Sequence, residues 1–296
     1  MRVFITGATG FIGSALVPEL LGAGHEVLGL ARSDAGASEL KAAGAEVHRG
    51  SLEDLDSLRS GAAAADAVIH LGFVHDFSRF KEVCEIDRRA IEALGETLAG
   101  SGRALIATSG FALLTTGRAA TEDDAPPPVS DAYPRASEQT LALFEQRGVR
   151  AMTVRLSQIH DTRKQGLVSY AIQAALAKGV VAYIGEGRNR WAAAHRLDAA
   201  RLYRLALEKG VGGARYHAVA EEGVSAREIA ETIERRLNLP AASISMEQAP
   251  GHFGPLAGFA ALDIVGSSAK TRKGLGWEPT GPGLLTDLEN LELVQA

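Results

Sequence analysis

The chain has 296 residues, 46% of them hydrophobic, which is enough for one large α/β domain, or a domain with a smaller lobe, and excludes global disorder. A formal charge of −5 at pH 7 leaves no basic face for nucleic acid. Cys84 is the only cysteine, so an internal disulfide is excluded and a reducing, cytoplasmic location is expected.

The N-terminal run Met1-Arg2-Val3-Phe4-Ile5-Thr6-Gly7 meets glycine too early for a signal-peptide core. Val3 to Thr6 predicts a strand, and Phe11 to Leu21, apolar at helical spacing, predicts a helix ending near Gly22. Further strands are predicted at Glu26 to Leu30, Glu46 to His48, Ala67 to Leu71 and Ala104 to Ala107. Helices fall between them at Ser38 to Ala43, around Leu55 and Leu58, and at Phe80 to Ala99. Such alternation predicts an α/β, doubly wound parallel-sheet Rossmann fold. The acidic, Pro-rich stretch Glu122 to Pro134 reads as an active-site loop rather than a linker, because alternation resumes with a helix near Ala136 to Arg147 and a strand at Arg150 to Leu156. Leu167 to Lys178 predicts a half-buried helix, then a short strand; Gln173, Lys178 and Gly179 interrupt it, so no membrane contact is expected. Tyr216 to Val219 predicts a strand returning to the sheet, and Ala226 to Leu237 an amphipathic helix stopped by Asn238 and Pro240. A smaller C-terminal lobe over 161–296 is therefore expected beside a Rossmann domain over 1–160.

Thr6-Gly7-Ala8-Thr9-Gly10-Phe11-Ile12-Gly13 lies between the first strand and first helix, as a dinucleotide fingerprint requires. Gly7 permits the turn, Gly10 the approach of a pyrophosphate and Gly13 close helix packing; Thr9, Phe11 and Ile12 complete the cradle at the positive end of the helix. An NAD site usually carries an acid after the second strand, whereas this chain carries Arg32, suited to a 2′-phosphate. NADP is therefore expected over NAD, although Asp34 stands close by. Ser51 and Leu52 are expected at the adenine, and Leu71, Gly72 and Phe73 at the nicotinamide ribose.

These runs, with DAVIHLGF, LIATSG, Tyr133, VRLSQIHD and AHRLDAARL in order, resemble the extended short-chain dehydrogenase/reductase family, often labelled NAD-dependent epimerase/dehydratase. The resemblance spans roughly the first two hundred residues. It implies that Tyr133 and a hydroxyl at Ser109, or the alternative register at Gly110, run the chemistry, with Tyr133 also beside the cofactor. The family's lysine, four residues after the tyrosine, is replaced by Ser137, as in its atypical branch. On a continuous helix Arg135 would point away from Tyr133. The resemblance also implies a homodimer through the helices Phe80 to Ala99 and Ala136 to Arg147.

His70, His75 and His160 are candidate bases at strand ends. No metal-ligand spacing occurs, so no metal is expected. Gly185 to Trp191 reads as a substrate loop, Asp198 as a helix cap, and Phe253, Leu256 and Phe259 as core or, alternatively, an apolar cover over a pocket. The expected function is NADP(H)-dependent reduction of a small-molecule carbonyl substrate. An epimerase, dehydratase or isomerase with recycled cofactor, and a non-catalytic dinucleotide-binding regulator, are the alternatives.

Overall fold

The computed structural model describes residues 1–293 apart from 112, 113, 115, 116 and 132. Its first half alternates β1 (Arg2–Thr6), α1 (Gly13–Gly22), β2 (Glu26–Ala31), α2 (Asp34–Ala42), β3 (Glu46–Arg49), α3 (Leu55–Ala63), β4 (Ala67–His70), α4 (Phe80–Leu98) and β5 (Ala104–Gly110). It continues through α5 (Ser137–Glu145), β6 (Arg150–Leu156), β7 (Gln158–His160), α6 (Val168–Lys178), β8 (Val181–Ile184), β9 (Arg190–His195) and α7 (Arg196–Lys209). Then come β10 (Arg215–Ala218), β11 (Glu221–Ser225), α8 (Ala226–Leu237), β12 (Ala241–Ile244), α9 (Ala249–Phe253), α10 (Ala257–Ala260), α11 (Ala269–Leu275) and α12 (Leu284–Glu289).

Seven strands form one parallel sheet in the order β10-β6-β5-β4-β1-β2-β3. The order reverses between β1 and β4, which opens a crevice at their C-terminal ends. Register aligns those ends: Thr6 lies beside His70, and His70 beside Ala107. Fully buried Phe4, Val68 and Leu105 face α3, α4 and α5, while Val3, Ile5 and Ile106 face α1 and α7. These strands are apolar on both faces because both are covered.

The boundary near residue 160 is not the packing boundary. Helix α7 packs against α1, and buried Tyr203 and Trp277 join the Rossmann core. Trp277 Nε1 donates to Asp198 O at 2.9 Å. A second core joins Val168, Ile172, Trp191, Ile229 and Leu284 from α6, β9, α8 and α12. Helix α8 begins with a capping box, Ser225 with Glu228.

Candidate active site

The turn after β1 is built as the glycines require. Gly7 has φ +69°, and a Cβ on it would meet Gly72 N at 2.7 Å. A Cβ on Gly13 would come within 2.1 Å of Gly7 O, so only glycine lets α1 start so close beneath the turn. The turn closes through Gly10 N–H donating to Gly7 O at 2.9 Å. From it a cleft of about 980 Å³ runs across the ends of β2, β3, β4, β5 and β6. Gly7, Thr9, Gly10, Phe11, Ile12 and Gly13 line one stretch of it. Arg32, Ser51 and Leu52 line one end of it, at β2 and β3, and Leu71, Gly72, Phe73 and Ser109 the other, at β4 and β5.

Asp34, the acid that competes with Arg32 for the reading of this end, bonds Arg49, which also donates to Ser33 O at 2.7 Å. Asp34 does not line the cleft; Arg32 does, and it forms no ion pair among the described residues.

Tyr133 does not line the cleft. Its backbone closes a turn with Ser130, through reciprocal bonds of 2.9 and 3.0 Å, and α5 begins only at Ser137. Pro134 and Arg135 therefore lie outside the helix, and Tyr133 and Ser137 are not one helical turn apart. Burial pushes the Tyr133 phenol above its ordinary pKa, with Arg135 opposing.

Arg135, which precedes the helix, lines the cleft. Its guanidinium lies 4.6 Å over the Phe73 ring. Nη2 donates to Thr108 O at 3.0 Å, and Nε donates to Ser137 Oγ at 2.9 Å. Ser137 Oγ donates to Asp87 Oδ2 at 2.5 Å, and His70 Nε2 lies 3.2 Å from Asp87 Oδ1. Thr6 Oγ1 lies 2.7 Å from His70 Nδ1 and accepts from Gly72 N–H at 3.1 Å. Burial raises the Asp87 carboxyl, but the hydrogen bonds and charges of His70, Arg135 and Ser137 outweigh it, and its pKa ends below the usual carboxylate value. With Asp87 ionised and able only to accept, His70 Nε2 is the donor of that pair. Ser137 is thus a buried link that fixes the neighbouring Arg135.

Of the three histidines, only His75 lines the cleft. Burial lowers its pKa, helped by Lys164 and Arg135. His70 belongs to the chain above, and His160 is buried with Nδ1 2.7 Å from Asp287 Oδ2. The segment Gly185 to Trp191 contributes nothing to the cleft: Arg190 pairs with Asp263 and Trp191 Nε1 donates to Leu262 O at 3.0 Å. Asp198 accepts from Thr280 and Gly281 N–H, while His195 caps α7. Phe253, Leu256 and Phe259 are half-buried rather than core. The sequence reading missed the wall formed by Ser157, Gln158, Lys164, Leu167 and Ile264. The strand-exit rule at β6 pointed to Ser157 and Gln158; Ile264 arrives from a distant segment with no local signal. Among the described residues, no His, Cys, Asp and Glu group could hold a metal. Cys84 is buried, which pushes its thiol up to about 11, so it is no thiolate nucleophile at neutral pH.

A parallel sheet with this strand order, a glycine turn at its switch point and a crevice across its strand ends define a Rossmann dinucleotide-binding protein. Residues 3–220 match the model of the NAD dependent epimerase/dehydratase family, and the chain belongs to that family. It is 50% identical over 293 residues to an uncharacterized protein of Schizosaccharomyces pombe, covering 97% of this chain and 98% of the relative. It is 27% identical over 227 residues to 4-hydroxy-2-methyl-3-oxo-4-farnesyl-3,4-dihydroquinoline-1-oxide ketoreductase of Stigmatella aurantiaca, covering 73% and 67% of the two chains. In fold it is similar to the UDP-glucose 4-epimerase of Thermus thermophilus in complex with NAD, with TM-score 0.76 and 23% identity over 98% and 97% of the chains.

Proposed function

We propose that this chain is an NADP(H)-dependent oxidoreductase that reduces a small carbonyl compound. The observation that carries the reading is one continuous cleft with Arg32 at one end and Ser109 and Arg135 at the other. The residues fit the cofactor: the Gly7, Gly10 and Gly13 cradle admits no Cβ without a clash or a tight contact, and the α1 N-terminus favours phosphate. Arg32, free of Asp34, suits a 2′-phosphate. One relative of this chain is a ketoreductase, which supports carbonyl reduction over a recycled-cofactor epimerisation.

When bound, the cofactor supplies the hydride; the carbonyl becomes an alcohol, the cofactor is oxidised and one proton is taken from solvent. The chain's own groups orient and polarise. Ser109, 3% exposed on the cleft wall, offers a hydroxyl donor. Arg135 offers a fixed cation on the wall of the substrate end. Tyr133 is not needed for either role. Purified protein mixed with NADPH and a panel of aldehydes and ketones is expected to consume NADPH. Tight NADPH binding with no turnover on any member would favour a regulator. Interconversion of a sugar nucleotide without cofactor consumption would favour an epimerase.

A further inference from the structure

We propose that the carbonyl substrate is itself an organic anion, an oxo acid with an apolar body, whose carboxylate is received between Arg135 and Lys164. This rests on the reading of the cleft as a reductase site. Among the described lining residues, Glu53 is the sole carboxylate, and it stands beyond Ser51 and Leu52 at the adenosine end. The far end carries Arg79, Arg135, Lys164 and His75. Arg79 is already spent: it bonds Asp76 at 3.0 Å and Glu82 at 2.8 Å. Arg135 and Lys164 form no ion pair among the described residues.

Arg135 is built as a receptor. Its Nε and Nη2 are committed to Ser137 and Thr108, and its plane to Phe73. Nη1 donates to no described residue, and it sits 3.6 Å from where a Cβ on Gly110 would stand. That glycine leaves the approach to Nη1 open. The countercharge, Asp87, is behind Ser137 and 2% exposed, so it holds the arginine without covering its free edge. Lys164 lines the same cleft. A carboxylate entering there exchanges water for a charge-assisted pair. Phe111, Leu167 and Ile264 supply the apolar wall beside it.

The competing anion is the cofactor's own diphosphate, because Lys164 Nζ lies 5.6 Å from the centroid of Phe11 on the glycine turn. The experiment separates the two. The probes are 2-oxo-4-phenylbutanoate and its ethyl ester as substrates, and 4-phenylbutanoate and its amide as non-reducible ligands titrated calorimetrically into NADP-loaded protein. The acid is expected to exceed the ester at least about tenfold in kcat/KM, and the carboxylate to bind at least about tenfold more tightly than the amide. Arg135→Ala and Lys164→Ala should each erase most of the carboxylate's advantage while the NADPH Kd changes less than about threefold; Arg135→Lys, which keeps the charge, should retain part of it. Equal handling of acid and ester, or of carboxylate and amide, overturns the proposal. So does a Lys164→Ala protein that loses NADPH affinity and keeps carboxylate affinity. Melting temperatures of the variants exclude misfolding as the cause. Failure of NADPH to bind wild-type protein would instead sink the cofactor reading, and that is seen before any acid is added.

Discussion

Arg135 shows how a single side chain changes the chemistry the cleft offers. Ser137 stands four residues after Tyr133, and the cation that lines the cleft is Arg135, two residues after it. This works because 133–136 is not helical, so Arg135 is not bound by helical spacing. Two outcomes follow. Tyr133→Phe should lower turnover by less than about tenfold, because a true proton donor would cost ~10²–10⁴-fold and this phenol is off the cleft wall. A steady-state comparison on one validated substrate decides it; a hundredfold loss would return the tyrosine to the mechanism. Ser137→Lys should not create a working pair. The position is 1% exposed and bonded to Asp87, so the longer chain must displace packed neighbours, at about 1–3 kcal/mol. A lowered melting temperature with an unshifted pH–rate profile is expected. An acid shift of the profile would show that the tyrosine had been engaged.

At the scale of elements, the sheet was legible because buried parallel strands are continuous apolar runs. Arg150 to Leu156 and Ala226 to Leu237 coincide with β6 and α8. Other ends moved for physical reasons. Strand β5 runs on to Gly110 because polar Thr108 and Ser109 keep strand geometry where the cleft begins. Helix α2 starts at Asp34, capped by Ser33, where the Ala-Gly-Ala stretch gives no apolar period. The glycine turn and the exits of β2 to β5 were readable because their spacing is local. The opposite wall, Lys164 and Ile264, was not, because tertiary return of the chain creates it. The helices expected to pair two copies can be described in the same terms. Val83, Ala90, Ile91 and Leu94 of α4, with Leu141 and Phe144 of α5, are buried within the chain. The outer side of α4 and α5 presents Lys81, Glu85, Arg89 and Glu96, with Leu143 the large apolar side chain exposed there. Exposed ion pairs such as Arg88 with Glu85 add little to association. Light scattering at micromolar concentration is expected to give the monomer mass. A dimer mass would mean that this charged face, or another, joins two copies.

Across the whole molecule, His217 ties the sheet to the C-terminal return. Its Nδ1 donates to Ser267 O at 2.8 Å and its Nε2 accepts from Arg155 Nη1 at 3.3 Å. Arg155 is fully buried and bidentate to Glu138. Burial lowers the His217 pKa to about 4. The unfolded chain therefore binds a proton near pH 6.5 that the folded chain refuses until about pH 4. Stability is full above the unfolded pKa and falls as pH drops through that window, by roughly 3 kcal/mol from this group. Denaturant melts at pH 7 and 4.5 should show the loss, and His217→Gln should flatten it; an unchanged slope would remove His217 as the cause. Cofactor Kd values decide whether this cleft is an NADP(H) site selected by Arg32. Fluorescence titration of wild-type protein and Arg32→Ala with NADPH and NADH should give at least about a tenfold preference for NADPH, lost in the variant through weaker NADPH binding. Equal wild-type affinities, or equal losses for both cofactors in Arg32→Ala, would contradict it.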